Sequence, residues 1–139
     1  MTAPMHPAMP KVQETLTNAP MLAAWRAEGA LALQRCADCA TVVFFPRSVC
    51  PHCWSTRLDW FRATGTGRIV SFSVIHRGLP EAFQADAPIV LAEVALAEGV
   101  PMIARVAAPD VGAVRSGMAV RLVPRDEAAR YPLPTFAPA

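Results

Sequence analysis

The sequence predicts a mainly β protein in which a short N-terminal helix leads into a four-cysteine metal ribbon and then into a small OB-type β-barrel. Three observations carry that prediction. The only four cysteines, Cys36, Cys39, Cys50 and Cys53, fall in two CxxC pairs with ten residues between them. From about residue 58 to 123, short apolar runs with in-and-out alternation are separated by turn residues, which is the pattern of strands. One early segment has helical spacing instead, with Met21, Leu22 and Trp25 sharing a face.

The chain divides by composition. Its 139 residues, 53% hydrophobic and 17% charged, suit one folded domain with a metal-stapled satellite and argue against wholesale disorder. Residues 1–17 hold three prolines and little periodic apolar character, so they read as a flexible arm. Residues 18–56 form the helix-and-ribbon unit, 57–125 the barrel, and 126–139 a proline-rich tail. No apolar stretch is long enough to span a bilayer. The start lacks the charged and apolar regions of a signal peptide, which makes a reducing cytoplasm the expected compartment. Paired cysteines there read as metal ligands rather than disulfides.

In chain order, Asn18 is placed to cap the helix and Gly29 to end it. Leu31 to Arg35 reads as a strand entering the first knuckle, and Thr41 to Phe45 as a strand between the knuckles, stopped by Pro46. Leu58 to Thr64 is the next run, followed by a bulge or bend at Gly65-Thr-Gly67. Arg68 to His76 continues, with Val70, Phe72 and Val74 on its buried face against Ser71 and Ser73. Pro88 to Ala97, Val100 to Val106 and Met118 to Val123 complete the set, with a tight turn at Glu98-Gly99. Met102, Ala104, Val106, Met118, Val120 and Leu122 face inward, while Arg105 and Arg121 face out. Four or five strands, the first strongly bent, fit an OB barrel better than a flat sheet; an SH3-like barrel shares most of these signals.

The cysteines carry the clearest chemistry. Two facing CxxC knuckles supply four soft thiolates for tetrahedral zinc, with iron in a rubredoxin-like site as the alternative. All four sulfurs are then consumed by the metal, so the site is structural and leaves no free nucleophile. His52, inside the second knuckle, reads as a turn residue rather than a ligand. Twelve arginines and one lysine against eleven acids leave a net charge of +2, which neither demands nor excludes nucleic acid. Six arginines, residues 35, 47, 57, 62, 68 and 77, surround the ribbon against Asp38 and Asp59, a modest cationic patch suited to phosphates or to a solvated edge. Phe44, Phe45, Trp54, Trp60 and Phe61 cluster nearby, more as a joint between ribbon and barrel than as a base-stacking platform. His76 and Glu93 read as a barrel-rim residue and a surface residue, and nothing assembles an active site.

Taken together, the Trp25 helix, Leu33-Gln-Arg-Cys36-Ala-Asp-Cys39, Phe45-Pro-Arg47, Cys50-Pro-His-Cys53 and Gly65-Thr-Gly-Arg-Ile-Val-Ser-Phe-Ser73 resemble the zinc-ribbon OB-fold family associated with acyl-CoA enzymes. The likeness spans roughly residues 20 to 125, and Phe136-Ala-Pro is similar to that family's usual ending. It implies a rubredoxin-like zinc ribbon joined to an OB barrel, acting as a non-catalytic partner of thiolase-like, ketoacyl-synthase-like or hotdog-fold enzymes. It further implies docking on such an enzyme with a share in its CoA or acyl channel. By position, Arg47, Trp54 and Arg57 are the residues it points to for contact with CoA or the partner. Two alternatives from other classes stand beside it: a nucleic-acid-binding ribbon and OB module, and a free-standing enzyme using His76 and Glu93.

Overall fold

The computed structural model describes residues 10–139, so the first nine residues of the expected arm lie outside the described range. The helix, α1, runs Ala19–Glu28 and buries Met21, Leu22 and Trp25 as the spacing predicts, together with Ala24. Pro20 sits in its first turn, where the N–H that proline lacks has no intrahelical acceptor to lose. Asn18 holds the cap position but does not cap: its side chain turns back, accepting from the Thr15 N–H at 2.8 Å and donating to the Gln13 carbonyl at 3.0 Å. Gly29 ends the helix at φ +64, and a Cβ there would meet Ala128 Cβ at 3.2 Å and Arg125 Cα at 3.3 Å. Only glycine gives both the left-handed turn and the close approach of α3, Arg125–Ala128.

The ribbon is a three-stranded antiparallel sheet of β1 (Ala32–Cys36), β2 (Val42–Val43) and β3 (Leu58–Arg62), ordered β2-β1-β3. Two expectations change here. The strand between the knuckles covers only Val42–Val43 and stops short of Phe45. The run from Leu58, expected to open the barrel, pairs with β1 instead, Leu58 opposite Cys36 and Arg62 opposite Ala32. The cause is the turn at Gly65, φ +79, which breaks the run from the next strand and leaves it free to satisfy the second edge of β1.

Five strands close the barrel: β4 (Thr66–Ile75), β5 (Ile89–Leu96), β6 (Pro101–Val106), β7 (Ala119–Leu122) and β8 (Phe136–Pro138), in the order β4-β5-β6-β8-β7. Neighbours run antiparallel except β6 and β8, which meet in parallel at Val106 and Phe136. This is the OB arrangement rather than the SH3-like one. The tail, expected as an extended arm, supplies β8. Without it β6 and β7 would face each other as open edges, and its three residues serve both while Phe136 enters the core.

Strand β4 carries the other correction. Its register with β5 skips Val70, a bulge that shifts the in-and-out period by one residue. Ile69 is therefore buried, Phe72 and Val74 are partly buried, and Val70, expected inside, is 51% exposed. Gly67 lies where β4 crosses β5; a Cβ would fall 2.7 Å from both the Ala95 carbonyl oxygen and Val94 Cγ1. Ile69, Val90, Val94, Val106, Val114, Val120 and Phe136 fill the barrel interior, with Met102 and Ala104 inward and Arg105 and Arg121 outward as expected. The barrel is a packed core, so function must be sought on its outside.

Candidate metal centre and docking groove

Each knuckle is a tight turn closed by its own backbone. The Ala40 N–H bonds the Cys36 carbonyl and the Trp54 N–H bonds the Cys50 carbonyl, both at 2.9 Å. Ala40 and Trp54 consequently sit at φ 63 and 66, a left-handed conformation that L-residues adopt at a cost of roughly 1 kcal/mol or more. The turns bring all four sulfurs within 4.8 Å of one another. Cys36 and Cys53 sulfurs are 3.5 Å apart, and those of Cys39 and Cys50 3.6 Å.

Those separations fit zinc. A tetrahedron with zinc–sulfur bonds of about 2.3 Å has edges of about 3.8 Å, so small adjustments would seat the ion. Cys36 and Cys50 are buried, Cys39 is partly buried and Cys53 is exposed. The His52 N–H points to the Cys50 sulfur at 3.4 Å, so that residue contributes its backbone. Thr41, by side chain and then backbone, lowers the metal-free Cys39 thiol to about 6. Cys53 moves the other way, to about 12: the Ser55 N–H pulls it down, but desolvation and the three neighbouring sulfurs outweigh that pull. Bound zinc would supply the cross-link that holds both knuckles to the sheet, and four thiolates leave it no open position.

Gln34, which no sequence motif marked, is the residue that aims the second knuckle. It is buried at 4% exposure, accepts from the Arg47 N–H and donates to the Arg47 carbonyl, both at 2.8 Å. Arg47 is thus gripped by its backbone with its side chain in solvent. Arg57 pairs with Asp38 of the first knuckle at 2.7 Å, and Trp54 stands off the second at 82% exposure. None of the three lines the groove described below.

The remaining candidates separate as well. Arg62 pairs with Glu28 at 2.7 Å, Arg35 lies 4.4 Å from the centre of the Phe61 ring, and Arg68 donates to the Gly117 carbonyl at 3.1 Å. With Arg57, four of the six arginines of the cationic patch are engaged within the chain. Phe44 and Phe61 pack toward the core and form the expected joint, whereas Phe45 is 61% exposed. Glu93 lies opposite Ser71 on β4, five residues from His76 and so about 17 Å along the strand. The two do not share a site.

What the structure adds is an apolar groove of about 320 Å³ where ribbon, barrel and tail meet. It is lined by Phe44 and Phe45 of the ribbon, by Leu91, Ile103 and Arg105 of β5 and β6, and by Phe83 of α2 (Glu81–Gln84) with residues 131–135. Its rim is hydrophobic and open: Phe45, Leu91, Ile103 and Leu133 are all exposed. The one charged lining residue, Arg105, pairs with Asp86 at 3.3 Å and lies 5.1 Å from the Tyr131 ring centre. The outward alternation of Leu91 and Ile103 was the available sequence signal; their union with the tail required the closed barrel.

A four-thiolate ribbon fused to a filled five-stranded barrel defines a zinc-ribbon OB-fold protein. Residues 26–59 match the ChsH2 rubredoxin-like zinc ribbon domain and residues 60–125 the ChsH2 C-terminal OB-fold domain. The chain belongs to the ChsH2/DUF35 family. The solved structure named Ltp2-ChsH2(DUF35) aldolase superposes with a TM-score of 0.77 at 32% identity, covering 92% of this chain and 98% of that one. A Thermomonospora curvata protein named probable enoyl-CoA hydratase alpha subunit is 36% identical over 109 residues, 78% of this chain and 34% of its own length. A Methanocaldococcus jannaschii DUF35 domain-containing scaffold protein is 38% identical over 66 residues, 47% of this chain and 46% of its own. The chain thus spans about a third of the first curated relative and under half of the second. Among the described residues, no helix is long and apolar enough to cross a membrane.

Proposed function

We propose that this chain is a non-catalytic accessory subunit that docks on an acyl-CoA-processing enzyme of thiolase or hotdog fold and contributes to the wall of its CoA or acyl channel. The observation that carries this reading is the groove with its open apolar rim. Four large exposed hydrophobic side chains around one concavity are costly in water and mark an interaction surface. The names of its relatives, an aldolase with a ChsH2(DUF35) component and a hydratase alpha subunit, support an acyl-CoA setting. The separation of His76 from Glu93 and the closed thiolate site support leaving the chemistry to the partner. Arg47, Trp54 and Arg57, exposed beside the ribbon, are the positions from which CoA or the partner would be touched.

The test is turnover. The isolated zinc-loaded chain, assayed with acyl-CoA substrates, is expected to be inert, while a thiolase-fold or hotdog-fold enzyme co-purified with it from the native host gains activity when the chain is added. Acyl-CoA turnover by the isolated chain, abolished by His76→Ala or Glu93→Gln, would contradict the proposal.

A further inference from the structure

The two knuckles are near copies, and their differences fall on the metal ligands. The Cys36 N–H bonds the Thr41 carbonyl at 2.9 Å and the Cys50 N–H the Ser55 carbonyl at 2.8 Å. Each knuckle therefore places a hydroxyl residue two positions after its second cysteine. The hydroxyls then diverge. In the metal-free chain the Cys39 S–H donates to Thr41 Oγ1 at 3.1 Å, and once Cys39 is a thiolate the hydroxyl becomes the donor of that pair. Ser55 Oγ turns away to the Asp38 carboxylate and accepts the Arg57 N–H at 3.1 Å, while Asp38 also pairs with Arg57 at 2.7 Å. That polar brace ties one knuckle to the other and takes from Cys53 the hydroxyl that Cys39 keeps. Cys53 is also the exposed ligand, whereas Cys36 and Cys50 are each 1% exposed.

We propose that the zinc-loaded centre opens at Cys53, the ligand that soft electrophiles such as α,β-unsaturated carbonyl compounds modify first, with Thr41 fastening Cys39 as its protected counterpart. In the loaded centre all four sulfurs are thiolates, so access and hydrogen bonding set the order of attack. A thiolate holding a hydroxyl hydrogen bond has less electron density to give, and a buried one cannot be reached. With N-ethylmaleimide, the Cys53 sulfur forms a carbon–sulfur bond at one alkene carbon and the adjacent carbon takes a proton from water. The resulting neutral thioether is a poor zinc ligand, so the zinc–sulfur bond breaks and the ion is released.

The experiment treats the zinc-loaded full chain with substoichiometric N-ethylmaleimide, maps adducts by peptide mass and follows zinc with a chelating dye. Adducts are expected first at Cys53, with zinc release keeping step. Thr41→Val should raise labelling at Cys39 about tenfold, the scale of losing one outer-shell hydrogen bond at a metal site, and Thr41→Ser should behave as the natural chain. First modification at Cys36, Cys39 or Cys50, or equal labelling of all four, would overturn the assignment of Cys53. A zinc-bearing Thr41→Val chain with unchanged Cys39 labelling would overturn that of Thr41. If that variant holds no zinc, the order in the natural chain decides the Cys53 claim and a Thr41→Ser chain with raised Cys39 labelling refutes the role of the hydroxyl.

Discussion

Single residues set the geometry of the ribbon, and Gln34 does so without any motif to announce it. Its carboxamide holds both backbone groups of Arg47, so Gln34→Ala strands two polar groups at a cost of about 1 kcal/mol or more each. We expect denaturant unfolding to show a loss of about 2–3 kcal/mol, against less than about 0.5 kcal/mol for Arg47→Ala, whose side chain is in solvent. Ala40 is the opposite case, since its positive φ suits glycine. Ala40→Gly should raise the thermal midpoint of the zinc-loaded chain by a few degrees, roughly 1 kcal/mol. The sulfurs also fix a pH dependence. Cys39, lowered to about 6, stays a thiolate from alkaline pH down to that value, whereas Cys53, raised to about 12, must lose its proton to the incoming metal. Zinc affinity should therefore fall as pH drops from 8 and fall more steeply below about 6, when Cys39 also takes up a proton. A chelator-competition titration between pH 5.5 and 8 checks the slope.

At the scale of elements, what was legible in the sequence was whatever had a local period or spacing. The α1 face, the knuckles and the inward sets of β6 and β7 were of that kind. Long-range pairing was not. Leu58–Arg62 alternates well enough to suit either sheet, and only the turn at Gly65 assigns it to the ribbon. The bulge at Val70 has no residue signature, because it arises from the mismatch between β4 and β5. The tail reads as a proline-rich arm, since three residues are too few to show alternation, yet Phe136–Pro138 joins β6 to β7. Phe136→Ala should accordingly cost about 3–5 kcal/mol in an unfolding measurement, as for a fully buried aromatic in a core. A tail that merely lay on the surface would lose well under 1 kcal/mol. The groove was hidden for the same reason: its walls come from three segments that meet only after the barrel closes.

For the molecule as a whole, the metal and the barrel do related work. Bound zinc would fix residues 36–53 as a rigid finger, β1 and β3 carry that finger, and the closed barrel sets its base so that Phe44 and Phe45 complete the groove with the tail. Removing zinc should thus disturb the proposed partner binding, and a chelated chain is expected to lose its complex while the partner keeps its own fold. The most direct measurement is light scattering on size-exclusion chromatography of the chain mixed with a thiolase-fold or hotdog-fold enzyme captured with it from the native host, comparing the natural chain with Ile103→Asp. Ile103 is 66% exposed at the groove rim, so the substitution spares the core while placing a charge where an apolar partner surface would sit. The account predicts a stable heteromeric complex for the natural chain and free components for Ile103→Asp, with circular dichroism and zinc content unchanged. No complex with the natural chain, or an equally stable one with Ile103→Asp, would contradict it.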